Sequence, residues 1–202
     1  MLTLFHSPNS RSTRVLAMLK ELDALQDVQI DIVAIPRVDG SGGRDARNPH
    51  PEGKVPLLVH DGVAVWESSA ILMYLAELYP QAGLHIPPGH AQRGAYLSWF
   101  AWYSGVVEPI LTLEAAGLKH PYITSTFRSS AEVVARLEAV LAHQPYLLGD
   151  EFTAADLLLH SPYAWFGKPG NPLIDAWVDR CMARPGARFA AEYDKAHPLP
   201  QA

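Results

Sequence analysis

Val55-Pro56-Leu57-Leu58-Val59-His60-Asp61-Gly62-Val63-Ala64-Val65-Trp66-Glu67-Ser68-Ser69-Ala70-Ile71 reads as two short strands, a tight turn and the start of a helix. Pro56–His60 and Val63–Trp66 flank Asp61-Gly62, and an Asp-Gly pair supplies the positive φ angles that a two-residue hairpin turn demands. Ala70, Ile71, Tyr74, Leu75 and Leu78 then fall on one helical face until Pro80 ends the run. The stretch therefore predicts strand, strand, helix.

Upstream, Leu2–Phe5 is a short apolar run, and Ser10-Arg11-Ser12 precede Val15, Met18, Leu19 and Leu22 at helical spacing. Val28, Ile30 and Ile32 alternate with Gln29 and Asp31 as in a half-buried strand, and the Gly, Pro, Asn and Arg of 36–51 mark a long loop. A βαβ unit, a loop and a ββα unit give a small mixed sheet with helices packed on it. Downstream, residues 81–89 are rich in Pro and Gly, and beyond them only helical patterns recur, at about 90–117, 124–143, 153–166, 172–183 and 186–195. The expected organisation is an α/β domain over 1–80, a linker over 81–89 and an all-α bundle over 90–202.

Composition narrows the function. The chain is 49% hydrophobic and 18% charged, which suits a folded protein. Its formal charge is −5 and its Lys and Arg form no dense cluster, so a nucleic-acid partner is not expected. The one cysteine, Cys181, excludes an intramolecular disulfide, and in the helical run Trp177–Met182 it reads as a packed core thiol. The nine histidines show no paired metal-site spacing, and Gly40-Ser41-Gly42-Gly43 lacks the Lys-Ser/Thr of a phosphate loop. The apolar stretch Ala95–Val107 is too short to span a bilayer, and Leu2-Thr3-Leu4-Phe5, without a basic region or a long apolar core, is not expected to belong to a secretory signal. A cytoplasmic protein acting on small molecules, with no metal and no membrane, is the expectation.

Four local motifs together carry a more specific reading. Ser7-Pro8-Asn9-Ser10-Arg11-Ser12-Thr13-Arg14 lies where the first strand meets the first helix. Asn48-Pro49-His50-Pro51-Glu52-Gly53-Lys54-Val55-Pro56 precedes the hairpin, Trp66-Glu67-Ser68-Ser69-Ala70-Ile71 follows it, and Leu148-Gly149-Asp150-Glu151-Phe152-Thr153-Ala154-Ala155-Asp156 lies in the helical half. In this combination the chain resembles the glutathione transferase family along essentially its whole length. The resemblance implies a thioredoxin-like N-terminal domain followed by an all-helical C-terminal domain that shapes the pocket of a second, electrophilic substrate.

What the resemblance implies can be placed residue by residue. In serine-type members a hydroxyl at the first motif hydrogen-bonds the glutathione sulfur and an Arg follows four residues later, a spacing that Ser10 and Arg14 match. Ser12 is the competing hydroxyl and is expected to cap the helix. The Val-Pro segment, with two extra residues inside it here, implies a cis Pro56, Val55 pairing like an added strand with the cysteinyl part of glutathione, and Lys54 as a partner for the glycyl carboxylate. Glu67 would receive the γ-glutamyl ammonium group, and Ser68 with the free N–H groups of its helix start would receive the carboxylate. Thr153 and Asp156 form a capping box with a structural role. Of the aromatic residues Tyr96, Trp99, Trp102 and Tyr103, Tyr103 is the candidate for the second-substrate pocket.

The family further implies glutathione as co-substrate, a homodimer, and attack of the thiolate on a hydrophobic electrophile. Because position 10 is Ser and not Cys, thiol–disulfide exchange is not expected, since a hydroxyl forms no mixed disulfide. Glutathione-dependent isomerisation, dehalogenation, ether cleavage and peroxide reduction stay open, as does a non-enzymatic binding or regulatory module on the same fold.

Overall fold

The hairpin anticipated from Asp61-Gly62 is present, with both turn residues at positive φ (47° and 84°). A computed structural model describes residues 1–199. Their elements run β1 (Leu2–His6), α1 (Thr13–Glu21), β2 (Val28–Ile32), β3 (Leu57–His60), β4 (Val63–Trp66), α2 (Ser68–Leu78), α3 (Arg93–Trp102), a π-helical turn (Tyr103–Val107), α4 (Glu108–Ala115), α5 (Pro121–Phe127), α6 (Ser130–Leu141), α7 (Ala154–His160), α8 (Tyr163–Phe166), α9 (Pro172–Met182) and α10 (Pro185–Ala196). Two compact units result: Met1–Ala82 together with the chain from Arg184 onward, and Gly83–Ala183.

In the first unit the strand order is β2-β1-β3-β4. β1 runs parallel to β2, with Leu4 opposite Ile30, and antiparallel to β3, with Leu4 opposite Leu58. That is the mixed sheet of the sequence reading: the helix α1 crosses over between parallel strands, and the two-residue turn joins antiparallel ones. Leu4, Val15, Leu16, Met18, Leu19, Leu57, Leu58, Ile71, Leu72 and Leu75 are fully enclosed and form its core. Each such side chain contributes roughly 1.5–3 kcal/mol relative to exposure.

The last helix departs from the expected 90–202 partition, whose final three residues lie outside the described range. α10 packs on α1 and belongs to the first unit. The reason is local chemistry: Glu21, at the end of α1, accepts from the Gly186 N–H (2.8 Å) and from the Arg184 guanidinium (2.6 and 3.1 Å). Gly186 presents bare backbone to α1, so the two helices can approach closely.

The second unit is all-helical within its described residues. α6 and α7 pack on α9, and α3 packs on α7. Phe100, Ile110, Leu137, Leu158, Ile174 and Trp177 fill its interior, and the Arg136 guanidinium lies 4.7 Å from the Trp102 ring centroid. The single run expected over 90–117 is interrupted by the π-helical turn at Tyr103–Val107. The run over 124–143 is split between α5 and α6, where Arg128 takes a positive φ of 66°.

Thr153 and Asp156 form the expected capping box at the start of α7. Asp156 Oδ2 accepts from the Thr153 N–H and hydroxyl (both 3.0 Å), while Oδ1 accepts from the Leu147 N–H (2.9 Å) and the Trp177 indole N–H (3.0 Å). Thr153→Ala removes one of these donors and the cap itself. It is expected to lower unfolding free energy by about 1 kcal/mol or somewhat more, read from urea denaturation. Cys181 is buried on the same helix as Trp177, as a packed thiol should be.

Candidate functional site

The junction of β1 and α1 is organised by hydroxyls. Ser10 and Ser12 place their Oγ atoms 2.7 Å apart. Ser10 Oγ–H lies 2.6 Å from the Ser7 carbonyl oxygen, and Ser12 N–H donates to Ser10 Oγ at 3.2 Å. Ser12 stands at the N-cap of α1 but makes no side-chain cap bond, contrary to expectation. Its backbone is already helical (φ −72°, ψ −19°), which turns the hydroxyl inward toward His6 Nδ1 (2.7 Å) and the Ser7 N–H (3.1 Å). Ser12 is 0% exposed, whereas Ser10 is only half-buried. Of the two candidate hydroxyl residues, Ser10 is the less enclosed.

Two residues that the sequence did not single out brace this turn. Arg37, from the long loop, donates to Ser7 Oγ (2.9 Å) and to the carbonyls of Pro8 (2.7 Å) and Asn9 (3.0 Å). Asp194, from α10, accepts from the Asn9 N–H (2.7 Å) and the Thr13 hydroxyl (2.6 Å), with its Oδ1 2.9 Å from His6 Nε2. That last approach is close, but it is not a straight hydrogen bond. Burial opposes ionisation of Asp194, but the close approach of His6 and the bonds from Thr13 and Asn9 together outweigh it and hold the carboxyl below its ordinary range. Asn9 takes the left-handed backbone (φ 53°) that the tight turn requires.

The loop before β3 is shaped by Asn48, which is buried. Its Oδ1 accepts from the His50 N–H (3.1 Å) and its amide donates to the Lys54 carbonyl (3.0 Å). The two extra residues of this segment are thus closed off by one side chain, and the Val55–Pro56 peptide is cis, as the resemblance implies. Val55 is buried at 9% exposure and Lys54 is exposed, its ammonium paired with Glu52. Hydrogen bonding and charge from Glu52 raise the Lys54 pKa, with a smaller contribution from Glu67 and an opposing one from Arg11. Lys54, Glu67 and Arg11, from three separate segments, therefore share one electrostatic neighbourhood.

Glu67 precedes α2 with φ 65° and ψ 122°. For a non-glycine residue this is a strained conformation, of the kind that clusters at ligand sites. Ser68 opens α2, and its Oγ accepts from Arg14 Nη1 at 3.1 Å, so Arg14 of α1 ties the second helix start to the first. Arg14 is 3% exposed, in keeping with a structural role. Ser10, Arg14, Lys54, Val55, Pro56, Glu67 and Ser68 all belong to the first unit. Tyr103, Thr153 and Asp156 belong to the second, where Tyr103 is 1% exposed and offers no open face to a substrate in this conformation. No group of three or more His, Cys, Asp or Glu side chains among the described residues is arranged to hold a metal ion.

Comparison with known proteins identifies the family and the fold. The family described as "Glutathione S-transferase, N-terminal domain" matches residues 4–83, and "Glutathione S-transferase, C-terminal domain" matches residues 114–185. Glutathione S-transferase 3 of Schizosaccharomyces pombe is 30% identical over 217 aligned residues, spanning 95% of this chain and 87% of that protein. A glutathione transferase from Methylococcus capsulatus superposes with a TM-score of 0.77 at 26% identity, covering 98% of this chain and all of that one. A sphingomonad glutathione S-transferase solved in complex with glutathione gives the same score and identity, covering 96% of this chain and 100% of its own.

Proposed function

The chain belongs to the glutathione S-transferase family and is a glutathione transferase, and on that premise we propose that Ser10 donates its hydroxyl proton to the sulfur of bound glutathione and stabilises the thiolate. The observation that carries this assignment is the contrast between the two serines: Ser12 is sealed inside the first unit, while Ser10 sits half-buried at the entry of a nine-residue helix. The positive end of that helix adds to the stabilisation.

Around the sulfur, the rest of the tripeptide has matching partners. Val55 offers its backbone to the cysteinyl part beside cis Pro56, and Lys54 offers its ammonium to the glycyl carboxylate. Glu67 receives the γ-glutamyl ammonium, while the N–H groups at the start of α2, with Ser68, receive its carboxylate. Arg14 holds Ser68 in place. The second substrate is a small hydrophobic electrophile, and Tyr103 contributes to its pocket after a rearrangement that brings its ring out of the core. A detoxifying role in the cytoplasm and a homodimeric assembly follow the family pattern; no helix among the described residues is long and apolar enough to cross a membrane.

A free thiol of pKa ~8.5 is a few per cent ionised at neutral pH, and lowering it by two units requires ~2.7 kcal/mol of preferential anion stabilisation. One charge-assisted hydrogen bond and a helix end can supply that amount. Ser10→Ala is expected to raise the pKa of bound glutathione by about one to two units, followed by ultraviolet titration of the thiolate, with its affinity for glutathione nearly unchanged. A bound thiol that titrates identically in the variant refutes the role.

A further inference from the structure

The hydroxyl assigned to the sulfur does not stand alone. Ser10 Oγ is 2.7 Å from Ser12 Oγ, and Ser12 Oγ is 2.7 Å from His6 Nδ1. His6 Nε2 is 2.9 Å from Asp194 Oδ1. His6 and Ser12 are 0% exposed and Asp194 is 4% exposed, so this chain of four side chains runs from a half-buried residue into the enclosed interior of the first unit.

The direction of the hydrogen bonds follows from the ends. A carboxylate at Asp194, 2.9 Å from His6 Nε2, favours the tautomer with its proton on that nitrogen, which leaves Nδ1 as the acceptor. Ser12 therefore donates to His6 Nδ1 and accepts from the Ser7 N–H, and its remaining lone pair faces Ser10. At rest the Ser10 proton is shared between Ser12 Oγ and the Ser7 carbonyl, both within 2.7 Å. In this arrangement Ser10 can accept a proton from a thiol but cannot donate outward, because its own proton points inward.

Resting on the assignment of Ser10 to the glutathione sulfur, we propose that the buried His6–Asp194 pair takes up the thiol proton through Ser10 and Ser12. The S–H bond breaks and its proton joins Ser10 Oγ; the Ser10 proton passes to Ser12 Oγ, and the Ser12 proton forms an N–H bond at His6 Nδ1. The products are a thiolate and an imidazolium beside the Asp194 carboxylate, with no net change of charge or proton count. The two links between Ser10 and His6 have then reversed, with His6 Nδ1 donating to Ser12, Ser12 to Ser10 and Ser10 to the thiolate, while the Nε2 proton of His6 stays facing Asp194. The same transfer thus creates the anion and aligns the hydroxyl that stabilises it.

After the electrophile has reacted, the proton returns along the chain to the adduct or leaving group, or is lost to water, and His6 is neutral again. The titratable groups of α10 that face His6 are Asp194 and Tyr193, whose ring centroid is 5.9 Å from the imidazole, with His197 stacked on Tyr193. From the α1 entry it meets the Ser12 hydroxyl.

The test is a proton count on the full-length protein. Glutathione is added to saturation in weakly buffered solution near neutral pH, with thiolate read by ultraviolet absorbance and released protons read by an indicator dye. The expected result is clearly fewer protons released than thiolates formed, because His6 retains them; one proton released for each thiolate overturns the proposal. This measurement needs no variant. His6→Gln is expected to cut the thiolate fraction about tenfold and kcat/KM about 100-fold, with KM for glutathione within about twofold, since His6 does not touch the tripeptide. Asp194→Asn should reproduce part of that loss with the same pattern. If no thiolate forms on the parent protein, or Ser10→Ala leaves it undiminished, the assignment of Ser10 fails and the relay with it. If Ser10→Ala removes the thiolate while the parent releases a full proton and His6→Gln retains the thiolate, the relay alone fails.

Discussion

Asp156→Ala is expected to destabilise the protein by about 4 kcal/mol, the largest single loss anticipated here, with little direct effect on glutathione binding. The side chain is 0% exposed and accepts four hydrogen bonds, from the Leu147 N–H, the Trp177 indole, and the N–H and hydroxyl of Thr153. Alanine fills none of these, and each buried donor left without an acceptor costs about 1–3 kcal/mol. Burial pushes the Asp156 carboxyl above its ordinary pKa, and the four donors pull against that shift. The group therefore ties the 147 region, the start of α7 and the middle of α9 into one unit, which explains why a cap residue matters so much more than its helix.

Urea denaturation followed by tryptophan fluorescence measures this directly, because Trp177 is itself one of the donors. Thr153→Ala removes one donor to the same carboxylate, its hydroxyl, together with the helix cap it forms. The double variant should therefore lose less than the sum of the two single losses. Additive losses would mean that Thr153 and Asp156 act independently, and a loss below 1 kcal/mol for Asp156→Ala would remove the network from any account of stability.

Much of the fold could be read because the deciding constraints are local. Asp61-Gly62 announces its hairpin through backbone angles that few other dipeptides adopt, and Thr153 and Asp156 announce a capping box because the two groups that bond are three residues apart. The interruption at Tyr103–Val107 was not legible, since a π-helical turn keeps the helical hydrophobic pattern and adds only a phase shift. The placement of α10 was hidden for a different reason. An amphipathic helix shows that one face will be buried but not against what, and here the answer lies in Glu21, about 160 residues away.

The candidate site divides along the same line. Ser10, Lys54, Val55, Pro56, Glu67 and Ser68 stand in motifs whose spacing carries the family resemblance, and these were visible. Asn48 was visible as part of a motif, but its task of bridging His50 and Lys54 was not. His6 follows the apolar run Leu2–Phe5 and Asp194 lies in the helical pattern over 186–195, and neither stands in a motif. Their partnership spans 188 positions and leaves no periodicity in the sequence. Spacing favoured Ser10 over Ser12, and what spacing could not foretell is that Ser12 is enclosed and turns its hydroxyl toward His6.

Gly186→Ala is expected to cost about 3 kcal/mol and to disturb the site from the far end of α10. A methyl group built there would lie 2.4 Å from the Ala17 carbonyl oxygen and 2.6 Å from Glu21 Cγ. The first is helix backbone and cannot swing aside, so α10 has to move off α1, and overpacking of this kind costs roughly 1–3 kcal/mol before the lost bonds are added. Those bonds are the Gly186 N–H and Arg184 guanidinium to Glu21. Gly94→Ala, in α3 with nothing within 4 Å of the added carbon, serves as the control and should stabilise by about 0.5 kcal/mol. Because Asp194 rides on the displaced helix, Gly186→Ala should also weaken the bonds to Asn9 and Thr13 that shape the turn carrying Ser10. The pKa of bound glutathione is then expected to rise even though position 186 touches no ligand. A variant that loses stability but keeps an unshifted thiolate would show that α10 serves the fold alone, with its carboxylate uncoupled from the sulfur.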